Sequence, residues 1–193
     1  MENQSTFHVL VVIDLQKEFK DQNGMYEKCI DFIKQNTDNY YILGTVWKNF
    51  DDSMFERHLH YSECKDVEFL PAGPGISPSI EYPFHELILK DGYGINSRGE
   101  FDYAFDKIYK VASKQQNCCC PNIKFYLMGC DADACVLASA FTLWDRRYEF
   151  NIFTDLIYTT GGEDLLKHTI KIMERNFGDC VTTSVKNLPV KEE

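Results

Sequence analysis

Short, nearly continuous apolar runs alternate along the chain with longer segments in which apolar residues recur every three or four positions. The first pattern suits parallel strands covered on both faces, and the second is the stripe of a surface helix. Residues 7–13 (Phe-His-Val-Leu-Val-Val-Ile) make the clearest strand and run directly into a carboxylate, Asp14. Residues 25–35 place Met25, Cys29, Phe32 and Ile33 on one helical face, and 40–47 read as a second strand. The stretch 48–81, with Pro71, Pro74, Pro78, Gly73 and Gly75, is expected to be mostly loop. Leu87-Ile88-Leu89 forms a short third strand ending in Lys90, and 101–113 a helix with Phe101, Ala104, Phe105, Ile108 and Val111 inward. A fourth strand at 123–128 leads through a turn at 129–133 to a helix at 134–147, with Asp133 as its expected N-cap. Residues 149–154 supply a fifth strand, Leu166, Ile170, Met173 and Phe177 mark a last helix closed by Gly178, and 180–185 supply a sixth strand. Strands and helices in this order predict an α/β fold, a three-layer α/β/α doubly wound, mainly parallel sheet in one domain spanning 1–193. Its ligand site is expected beyond the carboxyl ends of the strands.

Composition narrows the functional classes. Hydrophobic residues make up 44% of the 193 and charged residues 26%, as in an ordinary globular protein. The excess of 30 acidic over 20 basic residues, a formal charge of -10, argues against nucleic acid or an anionic membrane surface as a partner. No apolar run approaches the ~20 residues of a membrane span, and the first residues lack the basic region of a signal peptide. The eight cysteines lie mostly in apolar segments, which points to reduced thiols and a cytoplasmic protein. No Cys-x-x-Cys pair occurs, and the consecutive Cys118, Cys119 and Cys120 are expected to diverge, so no structural zinc site is read there.

Three residues are expected at the carboxyl edge: Asp14 after the first strand, Lys90 after the third and Cys135 in the first turn of the helix after the fourth. A thiol at a helix N-terminus feels the dipole and the free backbone N–H groups, which favour the thiolate. A nearby carboxylate can accept the thiol proton and return it to a leaving amine, and a lysine between them stabilises developing negative charge. Each residue alone has an ordinary structural reading; the combination suggests nucleophilic catalysis without a metal or other cofactor.

With these residues in view, the chain resembles the isochorismatase-like cysteine hydrolases, which include nicotinamidases and N-carbamoylsarcosine amidases. Val11-Val12-Ile13-Asp14-Leu15-Gln16-Lys17-Glu18-Phe19 is similar to the family's first-strand motif, Asp-x-Gln-x-x-Phe. The resemblance implies that Asp14 is the acid/base and that Phe19 lines the substrate pocket. Lys90-Asp91-Gly92-Tyr93 resembles the Lys-x-x-Tyr segment with the triad lysine, and the Gly/Pro-rich 72–78 resembles the loop leading to that strand. Gly129-Cys130-Asp131-Ala132-Asp133-Ala134-Cys135-Val136 is similar to Gly-x-x-Thr-Asp-x-Cys-Val. This implies Cys135 as nucleophile, a cis peptide at Cys130-Asp131 and an oxyanion hole from the N–H groups of Asp131 and Cys135. Ala132 stands where the family has Thr, and Asp131 places an acid at the oxyanion corner.

The nicotinamidase metal motif, Asp-x-His after the second strand, is missing from Thr45-Val46-Trp47-Lys48-Asn49, and His58 and His60 are read as solvent-facing. Nicotinamide is therefore disfavoured as substrate, and Trp47 is expected to wall the pocket with Phe19 and Tyr93. The resemblance implies hydrolysis of a C–N bond in a small amide-like substrate through a thioester, by a homo-oligomeric enzyme without cofactor. The altered oxyanion loop and absent metal ligands leave a second reading, a non-catalytic small-molecule-binding or scaffold protein of the same fold.

Overall fold

The computed structural model describes residues 5–68 and 79–187; the stretch 72–78 lies outside the described residues. Strands β1 (Phe7–Ile13), β2 (Tyr41–Trp47), β3 (Glu86–Lys90), β4 (Ile123–Gly129), β5 (Glu149–Ile157) and β6 (Val181–Thr182) form one sheet in the order β3-β2-β1-β4-β5-β6. Every neighbouring pair is parallel. The order reverses direction at β1, between β2 and β4, which is where a doubly wound sheet opens a crevice at its carboxyl edge. Helices α1 (Met25–Gln35), α2 (Met54–Leu59), α3 (Glu100–Gln116), α4 (Leu137–Asp145) and α5 (Glu163–Phe177) complete the fold.

The alternation of β1 divides the core. Val9, Val11 and Ile13 point to one face, where they join Phe101 and Ile108 of α3, Leu143 of α4 and Met173 of α5. Leu10 and Val12 point to the other, against Tyr26, Cys29 and Ile33 of α1. All five β1 residues have no exposed surface, which is why the strand reads as a continuous apolar run.

Several boundaries differ from the sequence reading. In α3 the inward residue near the C-terminus is Ala112, while Val111 is 42% exposed. At 3.6 residues per turn, residue 112 comes back to within about 20° of Phe101, whereas 111 is rotated by about 80°. The expected sixth strand is only two residues long and gives way to a short 3-10 turn at Ser184–Asn187. In the segment expected to be loop, Ser53 accepts the Glu56 N–H at 3.1 Å and starts α2. The chain after β4 turns helical at Ala132, in a wide π-type turn over Ala132–Val136, before α4 proper. Asp133 is therefore inside that turn rather than its N-cap; its carboxylate accepts the Thr159 hydroxyl.

Gly129 closes β4 at the point of tightest approach. Its φ is +113°, and a Cβ there would lie 2.1 Å from the Ile13 carbonyl oxygen. Both the conformation and the contact demand glycine. Gly129→Ala is therefore expected to cost at least ~3 kcal/mol of folding stability, measured by denaturant titration. A change within about 0.5 kcal/mol would show that the β1–β4 approach is looser than described.

Candidate active site

Asp14 leaves β1 with φ +45°, a left-handed conformation unusual for a residue with a side chain. Flanking hydrogen bonds hold it there. The Gln16 N–H donates to the Asp14 carbonyl at 2.9 Å, and the Cys130 thiol donates to the same oxygen at 3.2 Å. From β2, the Thr45 hydroxyl both accepts the Asp14 N–H at 3.0 Å and donates to Asp14 Oδ1 at 2.5 Å. One side chain thus fixes the backbone and the carboxylate together.

Lys90, the last residue of β3, meets Asp14 Oδ2 at 2.7 Å, and neither side chain has exposed surface. Its Nζ also donates to the Gly92 carbonyl at 2.9 Å. The Cys135 thiol interacts with both the Asp14 carboxylate and the Lys90 ammonium. Asp14, Lys90 and Cys135 are thus brought together from three chain segments.

The charge state differs from the sequence expectation. Burial, followed by the Asp14 carboxylate, pushes the Cys135 thiol above its ordinary value, and the ammonium of Lys90 opposes this without reversing it. Lys90 is itself raised: burial works against its charge, but Asp14 and Cys135 outweigh it. By exposed surface Cys135 is half-buried, and desolvation still outweighs the nearby ammonium.

The loop that carries Cys135 is anchored to the end of β5. The Ala132 N–H donates to the Tyr158 carbonyl at 2.8 Å, and the Tyr158 N–H donates to the Gly129 carbonyl at 3.2 Å. The peptide between Cys130 and Asp131 is cis. The Asp131 carboxylate accepts the Thr160 N–H at 2.7 Å and its hydroxyl at 3.0 Å. Burial raises the Asp131 pKa against these bonds. The N–H groups of Ala134 and Val136 donate to the Asp131 carbonyl at 3.2 and 3.0 Å.

An aromatic cluster surrounds Trp47 at the end of β2. Trp47 is buried, with ring centroids 6.0 Å from Phe19, 4.9 Å from Phe55 and 5.9 Å from Tyr61. Tyr93 stacks edge-on with Phe55 at 4.9 Å and is 44% exposed. Its hydroxyl is raised by partial burial, then by Cys135, Asp133 and Asp131, which places it in the field of the catalytic-type loop. An open groove of about 690 Å³ along α2 shares Phe55 and Tyr93 with this cluster, but no triad residue lines it. Thr45, Gln16, Phe55 and Tyr61 were not singled out from sequence. Gln16, fully buried, accepts the Trp47 N–H at 2.7 Å and donates to its carbonyl at 3.2 Å, so it ties the β1 exit to the end of β2.

Asn49 is committed to Ser53, Phe50 and Tyr61 through hydrogen bonds of 2.6, 3.0 and 2.8 Å. His58 and His60 are exposed on and just after α2. Among the described residues no group of three or more His, Cys, Asp and Glu side chains is placed to hold a metal ion.

Two outcomes follow from the ion pair. Lys90→Met leaves a carboxylate buried without its counter-charge and is expected to cost ~3–5 kcal/mol in denaturant unfolding; a loss below ~1 kcal/mol would mean that Asp14 is solvated. The upward pull on the Cys135 thiol sets the second outcome, the pH dependence of its alkylation. In the unmodified protein its rate should keep climbing as the pH rises above ~8.5, the value of a free thiol. A wild-type rate already at its plateau at pH 7 would show a preformed thiolate instead.

No protein-family model matches the chain, and no curated protein sequence does. Solved structures do. An isochorismatase-like hydrolase from Alkaliphilus metalliredigens is 13% identical, with a TM-score of 0.64 over 93% of this chain and 96% of that one. A nicotinamidase from Bacillus subtilis is 14% identical, with a TM-score of 0.62 over 91% and 98%. N-carbamoylsarcosine amidase from Thermoplasma acidophilum is 16% identical, with a TM-score of 0.60 over 96% and 99%. The likeness extends over nearly the whole of each chain, and it shows that this protein has the α/β fold of the isochorismatase-like hydrolases.

Proposed function

We propose that the protein is a cysteine hydrolase that cleaves a C–N bond of a small amide-like substrate. The observation that carries this reading is the buried Asp14–Lys90 pair, 2.7 Å apart, with the Cys135 thiol in contact with both. Two neighbours in fold are named for amide hydrolysis, a nicotinamidase and N-carbamoylsarcosine amidase, and this agrees with the reading.

In the proposed mechanism Asp14 takes the Cys135 proton as sulfur attacks the carbonyl carbon. With the thiol held above its ordinary value, deprotonation and attack are coupled. Substrate entry helps by placing an electrophile where the sulfur charge can go. The oxyanion is held by the N–H groups of Asp131 and Cys135, while the adjacent N–H groups of Ala132, Ala134 and Val136 are committed elsewhere. As the tetrahedral intermediate collapses, the C–N bond breaks and ammonia or an amine leaves with the proton from Asp14. Asp14 then removes a proton from water, whose hydroxide attacks the thioester. The C–S bond breaks and the proton returns to sulfur, which releases the acid product and restores the free thiol and the Asp14 carboxylate. Lys90 stays charged throughout and holds the carboxylate ready.

Phe19, Trp47 and Tyr93, with Phe55 and Tyr61, form the proposed pocket wall, suited to the flat face of an amide-bearing group. The thiol, the carboxylate and the ammonium supply nucleophile, proton transfer and charge, and we assign the reaction no metal. A cytoplasmic location is proposed from eight cysteines without a disulfide; no helix among the described residues is long and apolar enough to cross a membrane. The resemblance also implies a homo-oligomer, which light scattering after gel filtration tests.

The function is tested by ammonia release from a panel of small amides, ureides and carbamoyl amino acids. Cys135→Ala is expected to lower turnover by at least ~10⁴-fold, and Asp14→Asn to be nearly as damaging. Equal rates for wild type and Cys135→Ala would rule out the mechanism, and a folded wild type inactive on the whole panel would favour a binding protein of this fold.

A further inference from the structure

At the opposite end of β4 from the triad, a second thiol group stands apart. Cys119 and Cys120 are the exposed members of the eight cysteines, and their sulfurs lie 3.9 Å apart. The expectation that consecutive thiols diverge does not hold for this pair. The turn is held from α3. The Cys118 N–H donates to the Ser113 carbonyl at 3.1 Å, and the Tyr109 hydroxyl donates to the Cys119 carbonyl at 2.5 Å. The Asn122 N–H, just past Pro121, donates to Gln116 Oε1 at 2.9 Å. These bonds present two sulfurs to solvent on a fixed backbone.

Two features restrict what such a pair can bind. Consecutive Cα atoms are ~3.8 Å apart, below the ~4.4–6.8 Å that disulfides usually span, so a direct bond between these sulfurs would be strained. Among the described residues no third side chain completes a metal-binding group. The ligand must therefore bridge two sulfurs and carry its remaining substituent with it.

We propose that Cys119 and Cys120 form a vicinal-dithiol site that captures a trivalent organic arsenical. In the reaction with an arsine oxide, two S–H bonds and the As–O double bond break and two As–S bonds form. The two protons leave with the oxygen as one water, and arsenic remains trivalent. Both thiol protons end in that water, so the exchange needs no oxidant or reductant. The second As–S bond closes within one molecule, which is the source of selectivity over the isolated cysteines.

The test uses the full chain and phenylarsine oxide, read by intact mass. One adduct per chain is expected, stable to excess 2-mercaptoethanol and released by 2,3-dimercaptopropanol. Cys119→Ser and Cys120→Ser, with folding verified by circular dichroism, should each weaken retention by ~100-fold or more, whereas Cys118→Ser should retain it. An adduct that survives in the Cys119→Ser/Cys120→Ser double variant, or one that the monothiol strips from the wild type, would overturn the proposal. Amide hydrolysis is not read in this experiment, so its outcome is independent of the function assigned to Cys135.

Discussion

The structure is organised around one buried ion pair. Taking a carboxylate and an ammonium out of water costs several kcal/mol for each, and their attraction offsets this only when the geometry is good and the remaining polar capacity is used. Around the Asp14–Lys90 pair, 2.7 Å apart, the Thr45 hydroxyl donates to the other carboxylate oxygen and the Gly92 carbonyl accepts a hydrogen bond from the lysine. These partners come from β1, β2 and the exit of β3, so adjacent parallel strands must end in register. The pairing of Trp47 with Lys90 and of Val12 with Gly44 provides it. The sheet order and the ion pair are thus one constraint seen at two scales.

The same burial sets the chemistry. A half-buried sulfur beside a carboxylate is held above its ordinary value, against the pull of the nearby ammonium. In the proposed mechanism it loses its proton when an electrophile arrives to share the developing charge. Keeping the thiol neutral until then fits a site whose base is already ionised and already paired. It also protects a nucleophile from oxidation and alkylation, which act on thiolates.

Much of this was legible in the residue pattern, for identifiable reasons. β1 is buried on both faces, so its apolar run and the Asp14 that ends it stand out without any partner being known. Lys90 and Cys135 were legible as chemistry-bearing residues at element ends. Thr45 was not, because its role depends on the register of β2 against the turn at Asp14. A hydroxyl inside an otherwise apolar, doubly covered strand was the available signal, since a buried hydroxyl requires a partner. Phe55 and Tyr61 lie in a segment without periodicity and reach Trp47 only through the path of the loop. The upward pull on the Cys135 thiol was not legible for a different reason: spacing reveals a helix terminus but not the burial around it.

The loop that departs from the family pattern shows how the fold absorbs such a change. Ala132 lacks the hydroxyl that the related motif carries, and it is wholly buried in the core beneath the turn. Hydroxyls are supplied from the other side instead: Thr159 donates to Asp133, and Thr160 donates twice to Asp131, once from its backbone. The Asp131 carboxylate, which at first sight would repel an oxyanion, is thereby drawn toward the segment after β5. Its charge is spread over two donors. Burial still holds its pKa up, so the charge is only partly compensated. At the proposed oxyanion corner this sets two backbone N–H groups against one restrained carboxylate, held in place by Thr160.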